Sequence, residues 1–406
     1  MNKLFIIFFV FSLNCFSKEE AYDELHPYYL EVCAVSSAKM KHWEEYRTPP
    51  GHSVMYIKGA CRDESKELPW LKMCDPQKVS LSSEEGAGIS VNWKYKNVVW
   101  NAYPGKSLFY KGELSEDEEL SSKKYREKIN SFVDRGLFKN IKFHDWGLED
   151  KPGNLSEQQF MVSENIGLDF AVNWGRTAYC SRVPTPAKVI KKIVESLNKV
   201  NAKYFYGKEE YHWNVLKDNC SHLIHNALAD AGVLEKQKTN RFILQQLFHL
   251  SIPANESLDM IKLSVDESIS LKSLKKNPRQ MKLFNDYTWI PTQEGSLAIT
   301  YPWHEKNKIF DRDNVMDVYE FFLVPIAGAY LPKFMRKNTR KFMEVFKLKK
   351  YTDLVSSYEN FSQKYKNAIK EIDASDQKDK ELKKKYSLYL KSRLDKINKF
   401  LDTQKK

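Results

Sequence analysis

Six cysteines constrain this chain more than any other feature of it. One, Cys15, lies just behind an apolar run from Leu4 to Leu13 that follows Met1-Asn2-Lys3. A single early positive charge and a short apolar stretch have the build of a secretory signal, too short to anchor stably in a bilayer. Cleavage is expected before Lys18, with Ser17 just ahead of the cut. A lipoprotein reading, with Cys15 lipidated, fits less well because Asn14 is a poor neighbour for that signal. Export would place the mature chain in the periplasm or outside the cell, where disulfides persist. Cys33, Cys61, Cys74, Cys180 and Cys220 then remain, and an odd number predicts two disulfides and one thiol. Cys61 and Cys74 flank a short loop and are expected to pair. With Cys220 as the thiol, Cys33 pairs with Cys180 by elimination.

The 406 residues allow two or three domains, and a composition 42% hydrophobic and 13% aromatic supplies a core. The segment 333–406 holds 22 Lys/Arg against 10 Asp/Glu, so the whole net charge of +12 resides there. That basic tail can be a solvated helical face or a contact with an anionic surface. An export signal argues against nucleic acid. No later run reaches the roughly 20 apolar residues of a membrane span; Phe321 to Leu331 is apolar but brief and holds Pro325 and Gly328.

β-branched and aromatic runs predict strands at 53–57, 88–93 and 97–102. Residues 18–50 read as mixed and partly helical, and 116–137 as helix-prone. A strand pair is expected over 167–180, turning at Trp174-Gly175. Thr185-Pro186 opens a helix whose Val189, Ile190, Ile193, Leu197 and Val200 share a face. Leu297 to Tyr301 is strand-like. From Lys333 onward there is no Pro or Gly, and Leu382, Tyr386, Leu390, Leu394, Ile397 and Leu401 recur at helical spacing.

The chemistry concentrates at Trp213 to Leu228. With Cys220 opening a helix, Leu223, Ile224, Ala227, Leu228 and Ala231 form one apolar stripe, and Asp218 and Asn219 are capping residues. A thiol at a helix N-terminus meets exposed N–H groups and the positive end of the dipole, which favour a thiolate and can hold an oxyanion. At 100° per residue, His222 and His225 lie about 200° and about 140° around the helix from Cys220. They face away from the thiol, and their spread argues against a shared metal site. Nothing in the sequence asks for a cofactor. The better base is His52, at the head of the strand that follows Pro49-Pro50-Gly51.

A histidine opening an apolar strand, with an Asn-Cys helix far downstream, resembles the circularly permuted branch of the papain-like (NlpC-type) hydrolases. Within it the chain is similar to the family named for the Lnb N-terminal periplasmic domain. The likeness rests on Gly51-His52-Ser53-Val54, on Gly88 to Asn92 leading to the stretch Pro104 to Gly112, and on Tyr211 to Asn226. It covers about Tyr28 to Leu234, half the chain. It implies a Cys220 nucleophile, a His52 base and a third polar residue that orients the histidine, for which Asn92 and Asn101 are the candidates.

The expected architecture is α+β: a signal at 1–17 and a permuted papain-like domain at 18–260, its antiparallel sheet packed on helices. A mixed region, 261–332, and an all-α basic region, 333–406, complete it. The expected activity is thiol-dependent cleavage or transfer at an amide or ester in the cell envelope. Peptidoglycan peptides lead as substrate, with acylated lipids or lipoproteins as the rival. The alternative is a non-catalytic envelope scaffold on a degenerate hydrolase fold.

Overall fold

A computed structural model of the chain describes residues 22–36, 39–40, 51–75, 86–105, 118–119, 121–169, 176–215, 217–237, 253, 255–257, 259–260, 269–291, 294–301, 306, 308, 310–311, 318–326, 329–337, 353–374 and 379–404. The expected signal peptide, the stretch 106–112 and Trp174-Gly175 fall outside these residues.

The protein is mixed α+β around a six-stranded antiparallel sheet. Its strands are β1 (Tyr29–Val35), β2 (His52–Lys58), β3 (Ala87–Val91), β4 (Trp100–Pro104), β5 (Ala178–Pro184) and β6 (Leu297–Tyr301), in spatial order β4-β3-β2-β1-β5-β6. Among the described residues its longer helices are α1 (Ser122–Asp134), α2 (Glu157–Asp169), α3 (Ala187–Phe205), α4 (Cys220–Asp230), α5 (Leu271–Lys276), α6 (Pro278–Tyr287), α7 (Leu354–Ala374) and α8 (Lys380–Gln404). As expected, α4 packs on the sheet through β2; α3, expected on the sheet as well, packs on α4 and on the short strand Leu71–Met73. Among the described residues, no helix is long and apolar enough to cross a membrane.

Several expectations are corrected. The region 18–50, read as mixed, contains β1, a central strand buried at every residue. A strand covered on both faces shows no alternation to read, and Glu31 in its middle disguises it further. Glu31 is tolerated because Arg182, its direct cross-strand partner, donates from Nε to Oε2 at 2.8 Å while Tyr301 donates to Oε1 at 3.0 Å. The Arg182 guanidinium also lies 5.0 and 4.9 Å from the ring centroids of Tyr22 and Tyr29.

Of the strand pair expected over 167–180, Gly167 to Asp169 instead end α2, Ala178 to Cys180 open β5, and 170–175 lie outside the described residues. The strand expected at 97–102 begins at Trp100, because the N–H groups of Val99 and Trp100 both donate to Asn201 Oδ1 of α3, at 2.8 and 3.2 Å. The α3 cap shifts by one residue to Pro186, since the Thr185 hydroxyl is turned back onto Val183 O.

In the basic C-terminal region, Lys333 to Lys337 are not helical. They complete a hairpin of β7 (Val318–Ile326) and β8 (Ala329–Lys337), paired from Ile326↔Ala329 to Val318↔Lys337. The expected helical stripe is present in α8, where Tyr386, Leu390 and Ile397 are buried. With Tyr358, Phe361 and Tyr365 of α7 they share a core with Leu274, Phe284 and the sheet residues Ala34 and Tyr179.

Polar bonds tie the same helices to the rest of the chain. His26 Nε2 meets Tyr358 OH at 2.8 Å, Tyr365 OH donates to Glu294 at 2.8 Å, and Lys396 Nζ donates to Leu25 O at 2.6 Å. Gly295, at φ +86°, is required here: a Cβ would stand 2.2 Å from His26 Nε2.

Both expected disulfides form. Cys33–Cys180 joins directly opposed residues of β1 and β5, and Cys61–Cys74 closes a loop. The first spans 147 residues of sequence and the second 13. If cross-links act mainly on the entropy of the unfolded chain, removing the long one costs about 2 kcal/mol more. Guanidinium melts of the two paired Cys→Ala variants check this; equal losses contradict it.

Candidate active site

Helix α4 starts at Cys220 because Asn219 caps it: Asn219 Oδ1 accepts the His222 N–H at 2.8 Å, while its Nδ2 donates to Val215 O at 2.9 Å. The apolar stripe behaves as its spacing predicts, with Leu223, Ile224, Ala227, Leu228 and Ala231 all buried. The helix start abuts the start of β2, where the hydroxyls of Ser221 and Ser53 are 2.6 Å apart. Cys220 carries the one free thiol among the described cysteines.

That thiol and His52 are neighbours, as the sequence led one to expect. Burial pushes the Cys220 thiol up. The opposing influences outweigh it: the His52 charge, a hydrogen bond with the His52 ring, and hydrogen bonds from the Ser53 N–H and the Ser221 hydroxyl. The net result is a thiol held below its ordinary range, the condition for a thiolate–imidazolium pair. Of the N–H groups of the helix's first turn, that of His222 is taken by Asn219 Oδ1, and those of Cys220 and Ser221 stand at the helix end.

A residue hydrogen-bonded to the His52 ring is neither candidate asparagine. It is Ser90 of β3, whose Oγ lies 3.0 Å from His52 Nε2 and which is itself buried. Asn101 stands directly across from Ser90 on β4, but its side chain is held elsewhere. Its Oδ1 accepts from Arg62 at 2.7 Å and its Nδ2 donates to Leu137 O at 3.1 Å.

Asn92 is closer to the pair. The register Met55↔Ile89, Tyr56↔Gly88, continued by three residues, sets it opposite His52. Its Oδ1 accepts the Lys94 N–H at 2.9 Å, and its buried Nδ2 has no hydrogen-bond partner. Ser90 could have been found from the period of two, which puts it on the same strand face as Asn92; a serine simply carries less signal than an amide.

His222 and His225 stand apart from this chemistry. His225 Nδ1 is 3.0 Å from both oxygens of buried Glu256, and its Nε2 is 2.7 Å from Glu235 O. Burial lowers its pKa, but Glu256 and the Glu235 carbonyl together raise it above the ordinary value. His222 is pulled down to about 4, by burial first and His225 second, and its Nδ1 is buried without a partner. Among the described residues, the one group of converging metal-type donors is Glu31, Cys33 and Cys180, whose sulfurs are joined to each other.

The two histidines act on stability in opposite senses. His225, raised, stabilises the fold below the unfolded value near 6.5, and that contribution fades as pH rises through its folded value. His222, lowered, stabilises the fold above about 6.5, and that contribution is lost as pH falls toward 4. Between pH 7 and 5 the His222 contribution should drop by about 2 kcal/mol. Urea unfolding at the two pH values reads it: the drop should shrink by that amount in His222→Gln, and an unchanged drop contradicts the assignment.

No protein-family model matches the chain, and neither curated proteins nor solved structures yield a match.

Proposed function

We propose that this chain is an exported thiol hydrolase or acyltransferase that works through an acyl-enzyme on Cys220. The observation that carries the reading is the lowered thiol at the start of α4, hydrogen-bonded to His52. Ser90 is a positioning residue, holding the imidazole by Nε2. The order of a His strand before an Asn-Cys helix, and the antiparallel sheet beneath that helix, accord with the resemblance to permuted papain-like hydrolases.

In this mechanism His52 takes the thiol proton and the sulfur attacks the substrate carbonyl. The developing oxyanion is met by the Cys220 N–H at the helix start, the His222 N–H being held by Asn219 Oδ1. Collapse expels the amine or alcohol, which receives the proton from His52. Water or a second acceptor, deprotonated by the same ring, then releases the acyl group. Peptidoglycan peptides are the favoured substrate class, with acylated lipids or lipoproteins as the rival.

One observation favours a second reading, a non-catalytic envelope scaffold: Cys220 and His52 are only 9% and 5% exposed. Acyl capture separates the two. After brief incubation with an activated aryl ester, peptide mapping should find the acyl mass on the Cys220 peptide. A chain that carries no such adduct under conditions where a free model thiol is acylated is the scaffold.

A further inference from the structure

A second pair of side chains stands beside the reacting one. Ser221 follows Cys220 in the first turn of α4, and Ser53 follows His52 in β2. They are 0% and 1% exposed, and their hydroxyl oxygens lie 2.6 Å apart. That is the short end of the range for an O–H···O bond. The bond runs from the start of α4 to the start of β2, alongside the contact between Cys220 and His52.

Both mounts are rigid. His52 lies opposite Val35 and Ser53 opposite Ala34, on the two central strands of the sheet. Gly51, at φ +87°, seats the start of β2 against β1: a Cβ there would stand 2.9 Å from Val35 O. On the helix side, the Asn219 side chain holds the His222 N–H, and the Asn219 carbonyl accepts the Leu223 N–H at 3.1 Å.

Counting protons gives the bond a direction. A serine hydroxyl has one hydrogen to donate and two lone pairs to accept with. The Cys220 sulfur is hydrogen-bonded by the Ser221 hydroxyl and by the Ser53 N–H. With its one hydrogen on the sulfur, Ser221 can only accept from Ser53. Ser53 therefore serves the sulfur twice, directly through its N–H and indirectly through its hydroxyl. Each bond in such a chain polarises the next, so the O–H that faces the sulfur is a stronger donor than a lone serine's. Donors of this kind are worth most when they end on a negative charge.

The same contacts select a rotamer. A cysteine side chain has three staggered positions. The two serine donors and the His52 ring meet the sulfur in one of them. A bond that merely pinned helix to strand would have no need of the sulfur.

We propose that Ser53 and Ser221 form a two-hydroxyl relay, Ser53 to Ser221 to the Cys220 sulfur, which holds that sulfur toward His52 as an anion. Ser221 touches the reacting atom, and Ser53 is a positioning residue that acts through it. The relay rests on the thiol-enzyme reading. It serves the sulfur before attack and again when the acyl group leaves.

The test uses the full mature chain and iodoacetamide, which reports the Cys220 anion whatever the natural substrate. Alkylation rate against pH is measured beside urea midpoints for wild type, Ser221→Ala, Ser53→Ala and the double variant. Ser221→Ala should move the Cys220 midpoint up by about one pH unit, the worth of one hydrogen bond to a charged group. Ser53→Ala should move it about half as far, because Ser221 remains but is no longer polarised or directed. The double variant should match Ser221→Ala, since the Ser53 hydroxyl reaches the sulfur only through Ser221. It also leaves neither hydroxyl unpaired, so it is the variant that folds if a single one does not. An unmoved midpoint in the double variant overturns the relay, whatever happens to stability. Shifts in the two single variants that add in the double also overturn it, because the hydroxyls then act separately. In both cases a wild-type midpoint that is low and depends on His52 leaves the thiol-enzyme reading standing. A wild-type midpoint in the ordinary thiol range removes the reading and the relay together.

Discussion

Cys220→Ala should abolish turnover, by about 10⁴-fold or more, while leaving stability within about 1–2 kcal/mol of wild type. The size follows from the role: without the sulfur no acyl-enzyme forms, and members of a nucleophile–base unit each account for most of the unit's rate when removed alone. The fold should survive because the removed atom is one sulfur at the first residue of α4. The cap at Asn219 and the Ser221–Ser53 contact remain. His52→Ala should fall nearly as far, and the double variant should be no worse than the worse single one. Ser90→Ala should lose less, since it positions the ring and touches no reacting atom. Its signature is a shifted pH–rate profile. Rates on any substrate that acylates Cys220, set beside denaturant midpoints, check all four variants. A Cys220→Ala chain with turnover within tenfold of wild type ends the nucleophile assignment.

The largest stability effect should come from Arg182. It and Glu31 are 1% and 0% exposed at the side chain and bond at 2.8 Å across β1 and β5. Removing one partner of such a pair strands the other charge in the core, which typically costs 3–5 kcal/mol. Arg182→Met should therefore lose about 3–5 kcal/mol in guanidinium melts with the disulfides intact. Adding Glu31→Leu should recover much of it, because the buried carboxylate is then gone as well. Tyr22 and Tyr29, which lie against the guanidinium, would lose a cation–π contact in both variants. A loss below about 1 kcal/mol in Arg182→Met contradicts a buried, paired charge.

What was legible in the sequence was local. The Asn219-Cys220 helix announces itself through a cap and a stripe, both within a dozen residues, and His52 opens a strand of Val, Met, Tyr and Ile. The α8 stripe and the strand at Leu297–Tyr301 are equally local. Cysteine arithmetic reached farther, because a count of five with a thiol already assigned leaves few pairings.

The misses have a common cause in long-range contacts. β1 is a strand because β2 and β5 flank it and Arg182 answers Glu31; β5 and Arg182 lie far from it in sequence. The start of β4 is set by Asn201, about a hundred residues away. Ser90 becomes the partner of His52 through the β2–β3 register, which no motif encodes. The docking of α7 and α8 on His26, Glu294 and Leu25 likewise depends on groups far apart in sequence.

The central claim is that His52 holds the Cys220 thiol in a reactive, lowered state, and the rate of iodoacetamide alkylation against pH, mapped to each cysteine by mass spectrometry, tests it most directly. The account predicts that Cys220 alone reacts, along a curve whose midpoint lies below the ordinary thiol value of about 8.5 and moves upward in His52→Ala. A Cys220 found in a disulfide, or one that reacts only above the ordinary thiol range and is indifferent to His52, would contradict it.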